Sequence, residues 1–289
     1  MKDGPKLKII LALLAVYLIW GSTYLAVRIG LTGFPPFLLA GIRPLLAGLG
    51  LYIFLRMKGY PLPDKAQWTG GALVGAFLIA GGGGGVTFAQ QWVSSGIAAL
   101  GVATTPLWTV LFSSIWKRHP SRLETAGLAF GFVGMALLNL EGEMRANPAS
   151  AAALLIAVIS WSFGSAWSRH LKLPAGMMAV AVEMISGGLV LSVMSCILGE
   201  RMDVLPSLPS IAALLYLMFF GSLVGFSAYM YLLGRVRPAL ATSYAYVNPL
   251  IAVLLGVFFA GEHITAIGTI AMFVILSGVA LIAMGHRKG

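Results

Sequence analysis

Charge is scarce in this chain: Asp, Glu, Lys and Arg make up only 10% of its 289 residues, where a soluble domain carries roughly 25%. A surface that poor in charge cannot be hydrated all round, so a soluble globular fold is excluded. Cysteine is almost missing. The lone Cys196 rules out a disulfide framework and any cysteine-based metal site. Histidine is absent from the places where catalysis would need it. His119, His170, His263 and His286 all fall at the ends of apolar runs, with no mid-run Ser–His or paired-Asp arrangement and no carboxylate pair for a metal. An intramembrane enzyme is therefore disfavoured. No Gly-Lys-Ser/Thr follows a glycine-rich turn, which removes direct coupling to a nucleoside triphosphate. No filter-like loop suggests a channel, and no cofactor is called for.

What is present is apolar, 59% hydrophobic residues and a mean hydropathy of +0.92, arranged in long runs with short polar punctuation. A bilayer core of about 30 Å needs roughly 20 apolar residues per helix. On that measure the chain reads as ten spans, near 9–30, 35–56, 67–91, 96–116, 123–140, 149–168, 175–198, 209–234, 239–260 and 265–285. The first run follows Lys2, Lys6 and Lys8 but exceeds a signal-peptide core of roughly 7–15 residues. It is read as a retained helix.

Alternating the sides puts fifteen Lys and Arg residues on the N-terminal side and three on the other, with Arg43 inside a span. The positive-inside rule then makes both termini cytoplasmic. The net charge of +10 is an orientation signal and does not point to nucleic acid. Short loops fit a multi-pass protein of a prokaryotic inner membrane, with lipid and a small solute as its partners and a monomer as the simplest state.

Internal similarity divides the spans into two sets. Trp20–Arg28 (WGSTYLAVR) and Trp161–Arg169 (WSFGSAWSR) lie 141 residues apart. Ala98 aligns with Ala241, Pro106-Leu107 with Pro249-Leu250 and Gly82 with Gly225, all at 143. Gly134-x-Ala136-Leu137 matches Gly278-x-Ala280-Leu281 at 144. Residues 1–141 and 149–289 thus form two five-span halves joined by an external linker, 142–148. Five is odd, so the halves enter the membrane from opposite sides. The expected fold class is an all-α membrane protein: ten transmembrane helices in a 5+5 inverted-topology repeat around a central pathway. Such architecture places a solute site near the midplane and moves it by alternating access.

The stretches Gly221-Ser222-Leu223-Val224-Gly225-Phe226-Ser227-Ala228-Tyr229, Tyr244-Ala245-Tyr246-Val247-Asn248-Pro249-Leu250 and Gly261-Glu262 resemble the EamA-type domain of the drug/metabolite transporter superfamily. Trp20-Gly21-Ser22 and Pro106-Leu107 fit the same pattern in the first half. The resemblance covers essentially the whole chain and implies export of small metabolites. The aromatic content is similar to that of the aromatic amino acid exporters (the YddG-like group), with amphipathic drugs a further solute class. Export or facilitated passage of another metabolite class is the alternative. One departure stands out: the glycine-glutamate end of the ninth span has no counterpart after the fourth, which reads Ile115-Trp116-Lys117-Arg118-His119. At its helix end, Glu262 is read as a cap or loop tie rather than a solute contact.

The candidate pathway residues follow from depth in the spans. Trp20, Tyr24, Trp161, Phe163 and Trp167 lie on the paired first and sixth spans, Tyr229, Tyr244 and Tyr246 on the eighth and ninth, and Gln90 and Trp108 on the matching first-half spans. Mid-depth aromatic rings have no interface to anchor to and suit a flat apolar solute or an organic cation. Pro106 and Pro249 each free the carbonyl four residues earlier, at Val102 and Ala245, and polar Thr105 and Asn248 precede them. Gly81, Gly82, Gly83, Gly84 and Gly85 form a run inside the third span, read either as close packing or as a hinge or backbone-lined section of the pathway, with Gly225 its mate. Arg43 and Glu183 each lie about eight residues deep, at roughly 12 Å. Two readings stay open: a buried ion pair, or Glu183 as a proton acceptor for coupling and Arg43 as a carboxylate anchor.

Overall fold

The computed structural model describes residues 4–113, 115, 121–138, 140, 147–202, 205–236, 238–241 and 243–285, and no strand occurs among them. The helices fall in the order expected of ten spans. They are α1 (Lys6–Gly30), α2 (Pro36–Met57), α3 (Lys65–Ala89) and α4, which is split into Ser95–Val102 and Thr105–Ser113. Next come α5 (Arg122–Leu138), α6 (Pro148–His170), α7 (Met177–Ile197) and α8 (Leu208–Leu233). Last are α9, split into Pro238–Ala241 and Tyr244–Ala260, and α10 (Ala266–Gly285). Seven of the described helices are long and apolar enough, by length and composition, to cross a membrane, and shorter apolar helices accompany them. The ten helices form two five-helix halves of opposite orientation around a central pathway.

Local chemistry sets the helix ends. Asp64 and Gln67 form a reciprocal capping box at the start of α3, and Ser121 and Glu124 do the same for α5. Asn147 and Ser207 accept from the third backbone N–H of α6 and α8. Gly261 turns the chain out of α9 with a left-handed φ of 63°. Of the expected linker, residues 142–146 lie outside the described residues, and Asn147 already caps α6.

Small residues set how closely the halves approach. α2 and α7 form one seam, in which a methyl on Gly48 would come within 2.8 Å of the Met184 Cβ and one on Gly188 within 2.6 Å of the Leu45 nitrogen. α5 and α10 form a second, with Gly134 against Ile275 and Gly278 against the Gly127 carbonyl. Each seam joins helices that are mates in the repeat. In lipid the hydrophobic effect does not pull helices together, so association depends on such close van der Waals contact.

The repeat also shows in the backbone. Ala76–Gly84 of α3 and Leu217–Phe226 of α8 both widen into π-helical turns at matched positions. A third widened stretch, Val16–Trp20 in α1, has no counterpart in α6, which is regular over Pro148–Trp167. Wide turns of this kind often mark functional sites. All three touch the same central space.

The two prolines behave differently. Pro106 sits in the second position of the second α4 segment, where its missing N–H is tolerated. The carbonyl it frees, at Val102, accepts from the Thr105 hydroxyl at 2.6 Å. Pro249 lies inside the continuous segment Tyr244–Ala260. The two prolines matched in sequence thus fall in unlike settings, one at a helix break and one in a helix interior.

Candidate functional site

Between the halves lies a cavity lined by side chains of both. Trp20, Thr23, Tyr24 and Val27 of α1 form one side of it, and Trp161 and Val158 of α6 face them. α3 contributes Gly82, Gly83, Thr87 and Gln90, α8 contributes Gly221, Ser222 and Phe226, and Tyr244 stands at the start of the long α9 segment. Arg43 and Pro44 of α2 and Met184 of α7 complete the wall. The site therefore draws on both halves, as an inverted repeat requires.

The aromatic wall is held rigidly. Trp20 meets Trp161 edge-on at 5.3 Å between ring centres, Tyr229 at 5.1 Å and Tyr244 at 5.1 Å. Trp20 Nε1 donates to the Gly221 carbonyl at 3.2 Å, and Trp161 Nε1 donates to the Tyr229 hydroxyl at 3.2 Å. Ser165 closes the chain by hydrogen bonding the same hydroxyl at 2.9 Å. With their polar atoms satisfied inside the protein, the rings present apolar faces to the cavity. Tyr229 is fully buried behind Trp20 and Trp161, so it supports the wall rather than lining it.

Other expected residues are displaced from the cavity. Phe163 and Trp167 stack with Phe77 and with each other in a separate aromatic cluster. Trp108 packs against Phe112 and Phe132, its Nε1 buried without a hydrogen bond. Depth alone placed these residues near the pathway, and depth does not fix which face of a helix a side chain occupies. Asn248 is buried, and its amide nitrogen donates to the Tyr17 carbonyl at 3.1 Å and the Tyr244 carbonyl at 3.3 Å, joining α9 to α1. The Tyr246 side chain lies outside the described residues. Thr105 lines the cavity while its carbonyl accepts from Ser162 at 3.0 Å.

Part of the five-glycine run packs closely against neighbouring helices, and part of it lines the cavity. Gly81 lies against Ser160, Gly84 against Leu191 and Gly85 against Ala157, each too close for a Cβ. Gly82 and Gly83 line the cavity, and a Cβ on Gly82 would lie 2.7 Å from the Trp161 ring. Gly225 faces Trp20 in the same way, with 2.5 Å to the indole nitrogen. The matched glycines thus let the two tryptophans approach the π-helical turns of α3 and α8 closely.

The ion-pair reading of Arg43 and Glu183 does not hold. No N–O distance between them falls within 4.0 Å among the described residues. Arg43 lines the cavity, whereas Glu183 has no exposed surface and both its carboxylate oxygens lack a hydrogen-bond partner. Successive helix residues are rotated by about 100°, so Met184 reaches the cavity while Glu183 lies where α7 meets α3, its carbonyl against Gly75. A positive residue in the wall also argues against the organic-cation solute that the aromatic rings suggested.

Two carboxylates do structural work that bridges distant segments. Glu262 accepts from the Ser95 backbone at 2.9 Å, the Ser95 hydroxyl at 2.7 Å and the Gly96 backbone at 3.4 Å, so it caps α4 from the end of α9. Arg28 Nε lies 3.9 Å from the same carboxylate, and the guanidinium donates to the Val93 carbonyl at 3.1 Å. Glu200 caps α2 through the Phe37 and Leu38 N–H groups at 3.1 and 2.9 Å. Sequence reasoning missed Glu200, and also missed Thr23, Thr87, Ser222 and Met184 as wall residues. For Thr23, Thr87 and Ser222 a signal existed: short polar residues at mid-depth in spans already assigned to the pathway.

Comparison with known proteins agrees with this geometry. The EamA-like transporter family model matches residues 7–140 and again 149–284, so the chain belongs to that family and is a membrane transporter. It is 47% identical over 275 residues to the uncharacterized inner membrane transporter YedA of Escherichia coli strain K12, covering 95% of this chain and 90% of that protein. It is 26% identical to protein PecM of Dickeya dadantii, over 91% of this chain and 88% of that one. It is 24% identical to a probable amino-acid metabolite efflux pump of Salmonella typhimurium, over 99% and 96%. A solved crystal structure at 22% identity superposes with a TM-score of 0.71, covering 96% of this chain and 98% of that one, and shares the fold.

Proposed function

We propose that the protein exports small metabolites across a prokaryotic inner membrane by alternating access, with aromatic and hydrophobic amino acids as its main solutes. The observation that carries this reading is the central cavity, built from both halves and walled by Trp20, Trp161 and Tyr244 with few polar groups between them. The printed name of the Salmonella relative, a probable amino-acid metabolite efflux pump, supports the solute class. The residue 1–141 and 149–289 halves rock against each other about the site, and both termini lie in the cytoplasm, as the fifteen-to-three distribution of basic residues supports. The driving ion is the proton, with Glu183 as its carrier.

Reconstitution in proteoliposomes tests the reading. Flux of phenylalanine, tryptophan and leucine is expected to saturate and to compete mutually. A panel in which only sugars or nucleotide-sugars move would overturn the solute assignment and leave the fold untouched.

A further inference from the structure

The cavity contains a cation with nothing to bind. Arg43 stands in its wall beside Gly83, its Nη2 3.7 Å from where a Cβ on that glycine would be. Among the described residues the guanidinium makes no hydrogen bond and no ion pair, although it carries five N–H donors. Among the described residues no carboxylate lines the cavity, and Glu183, the acidic residue at matching depth, is buried outside it with both oxygens unpaired. A fixed positive charge deep in a membrane-spanning helix is costly without a partner. Transport proteins can hold such a group only if something that enters the site satisfies it.

A second unsatisfied group stands in the same wall. Gln90 is 1% exposed, and its Nε2 donates to the Tyr24 carbonyl at 2.9 Å, which fixes the amide orientation. The Oε1 atom is left buried without a donor. A missing donor of this kind costs about as much as a lost hydrogen bond. The wall thus offers one cation, one orphan acceptor and a set of apolar ring faces. The complementary solute has one carboxylate, one donor group and a flat apolar part.

We infer that Arg43 recognises a substrate carboxylate, with the Gln90 amide oxygen accepting from a donor on the same molecule. The guanidinium fork matches a carboxylate with two parallel hydrogen bonds. A phosphate monoester brings nearly two negative charges against a single Arg43, and an organic cation is repelled by it. This inference rests on the small-metabolite reading above and narrows it to monocarboxylates that also carry a hydrogen-bond donor.

Ligand binding to the purified transporter in nanodiscs, read by quenching of its tryptophan fluorescence, tests it without requiring flux. The probes are 3-phenylpropionate, its neutral isostere 3-phenylpropionamide, phenethylamine and L-phenylalanine. The acid is expected to bind at least tenfold more tightly than the amide or the amine, and L-phenylalanine more tightly than the acid. Arg43→Lys should keep part of the acid-over-amide preference and Arg43→Gln should abolish it. Equal binding of acid and amide by the unaltered protein overturns the role of Arg43, as does a preference that survives in Arg43→Gln. Equal binding of L-phenylalanine and 3-phenylpropionate overturns the role of Gln90. Acid-selective binding without amino-acid flux would sink the transport reading alone, so the two fail separately.

Discussion

Glu183 and Met184 are neighbours in sequence with opposite surroundings. Met184 meets the cavity, whereas Glu183 is enclosed with both oxygens unpaired. An isolated carboxylate in an apolar interior is among the most costly groups a protein can bury, and the cost is avoided by carrying a proton. The proposed coupling role requires a rearrangement that wets or pairs the group. The α2–α7 and α3–α7 contacts rest on glycines, Gly41, Gly48, Gly75, Gly187 and Gly188, which bring the three backbones close together. Glu183→Gln, which keeps shape and stays neutral, is expected to retain counterflow exchange while losing severalfold stimulation by a pH gradient. Flux measured with and without the gradient decides it: an undiminished response in the variant removes Glu183 from coupling. At this scale the sequence was half legible. It placed Arg43 and Glu183 at equal depth and so suggested a pair. It could not tell which way each faces, because a rotation of about 100° per residue separates cavity from seam.

At the scale of elements, the repeat in the sequence translated directly into contact. Gly134 and Gly278 head matching Gly-x-Ala-Leu motifs, and they lie on the α5–α10 seam that joins the two halves. A Cβ on Gly278 would meet the Gly127 carbonyl and the Gly131 nitrogen at 2.7 and 2.8 Å, main-chain atoms that cannot swing aside. Gly278→Leu is therefore expected to destabilise the protein by about 1–3 kcal/mol or more, through overpacking. Thermal unfolding in detergent would register it as a lowered Tm, and an unchanged Tm would mean that the seam is not close-packed. Gly50 is the control position, since a methyl group added there would find nothing within 4 Å, and Gly50→Ala should be neutral or slightly stabilising. The π-helical turns of α3 and α8 were not legible in the same way. Glycine runs permit a widened turn, but only the tryptophans lying on Gly82 and Gly225 show why it forms there.

For the whole molecule, inversion makes one end of the bundle the structural image of the other, and the matched ends of α4 and α9 differ at the position of Glu262. Arg28 reaches from α1 to the Val93 carbonyl at 3.1 Å, and its mate Arg169 reaches from α6 to the Leu233 carbonyl at 3.1 Å on the opposite face. At the first end Glu262 adds a carboxylate that ties the end of α9 to the start of α4, crossing from one half to the other. The position matching it is His119 in the sequence, outside the described residues, so the second end lacks an acid there. The departure from the family pattern noticed in the sequence thus has a physical meaning: only one face is latched by this carboxylate, the face proposed as external. Opening that face must break three hydrogen bonds to Ser95 and Gly96, two of them from helix N-terminal amides that favour a negative partner. Glu262→Gln weakens all three without removing the side chain and should shift the population towards an externally open state. Val27 lines the cavity on the α1 segment leading to Arg28, and Cys196 is the single native cysteine. In a Cys196→Ser, Val27→Cys background, a membrane-impermeant maleimide added from outside should therefore label severalfold faster when Glu262→Gln is present. Arg28→Gln should have the smaller effect, because Arg28 Nε stands 3.9 Å from the carboxylate and its side chain is 42% exposed. Identical labelling rates with and without Glu262→Gln would show that the carboxylate only caps a helix and does not hold the gate.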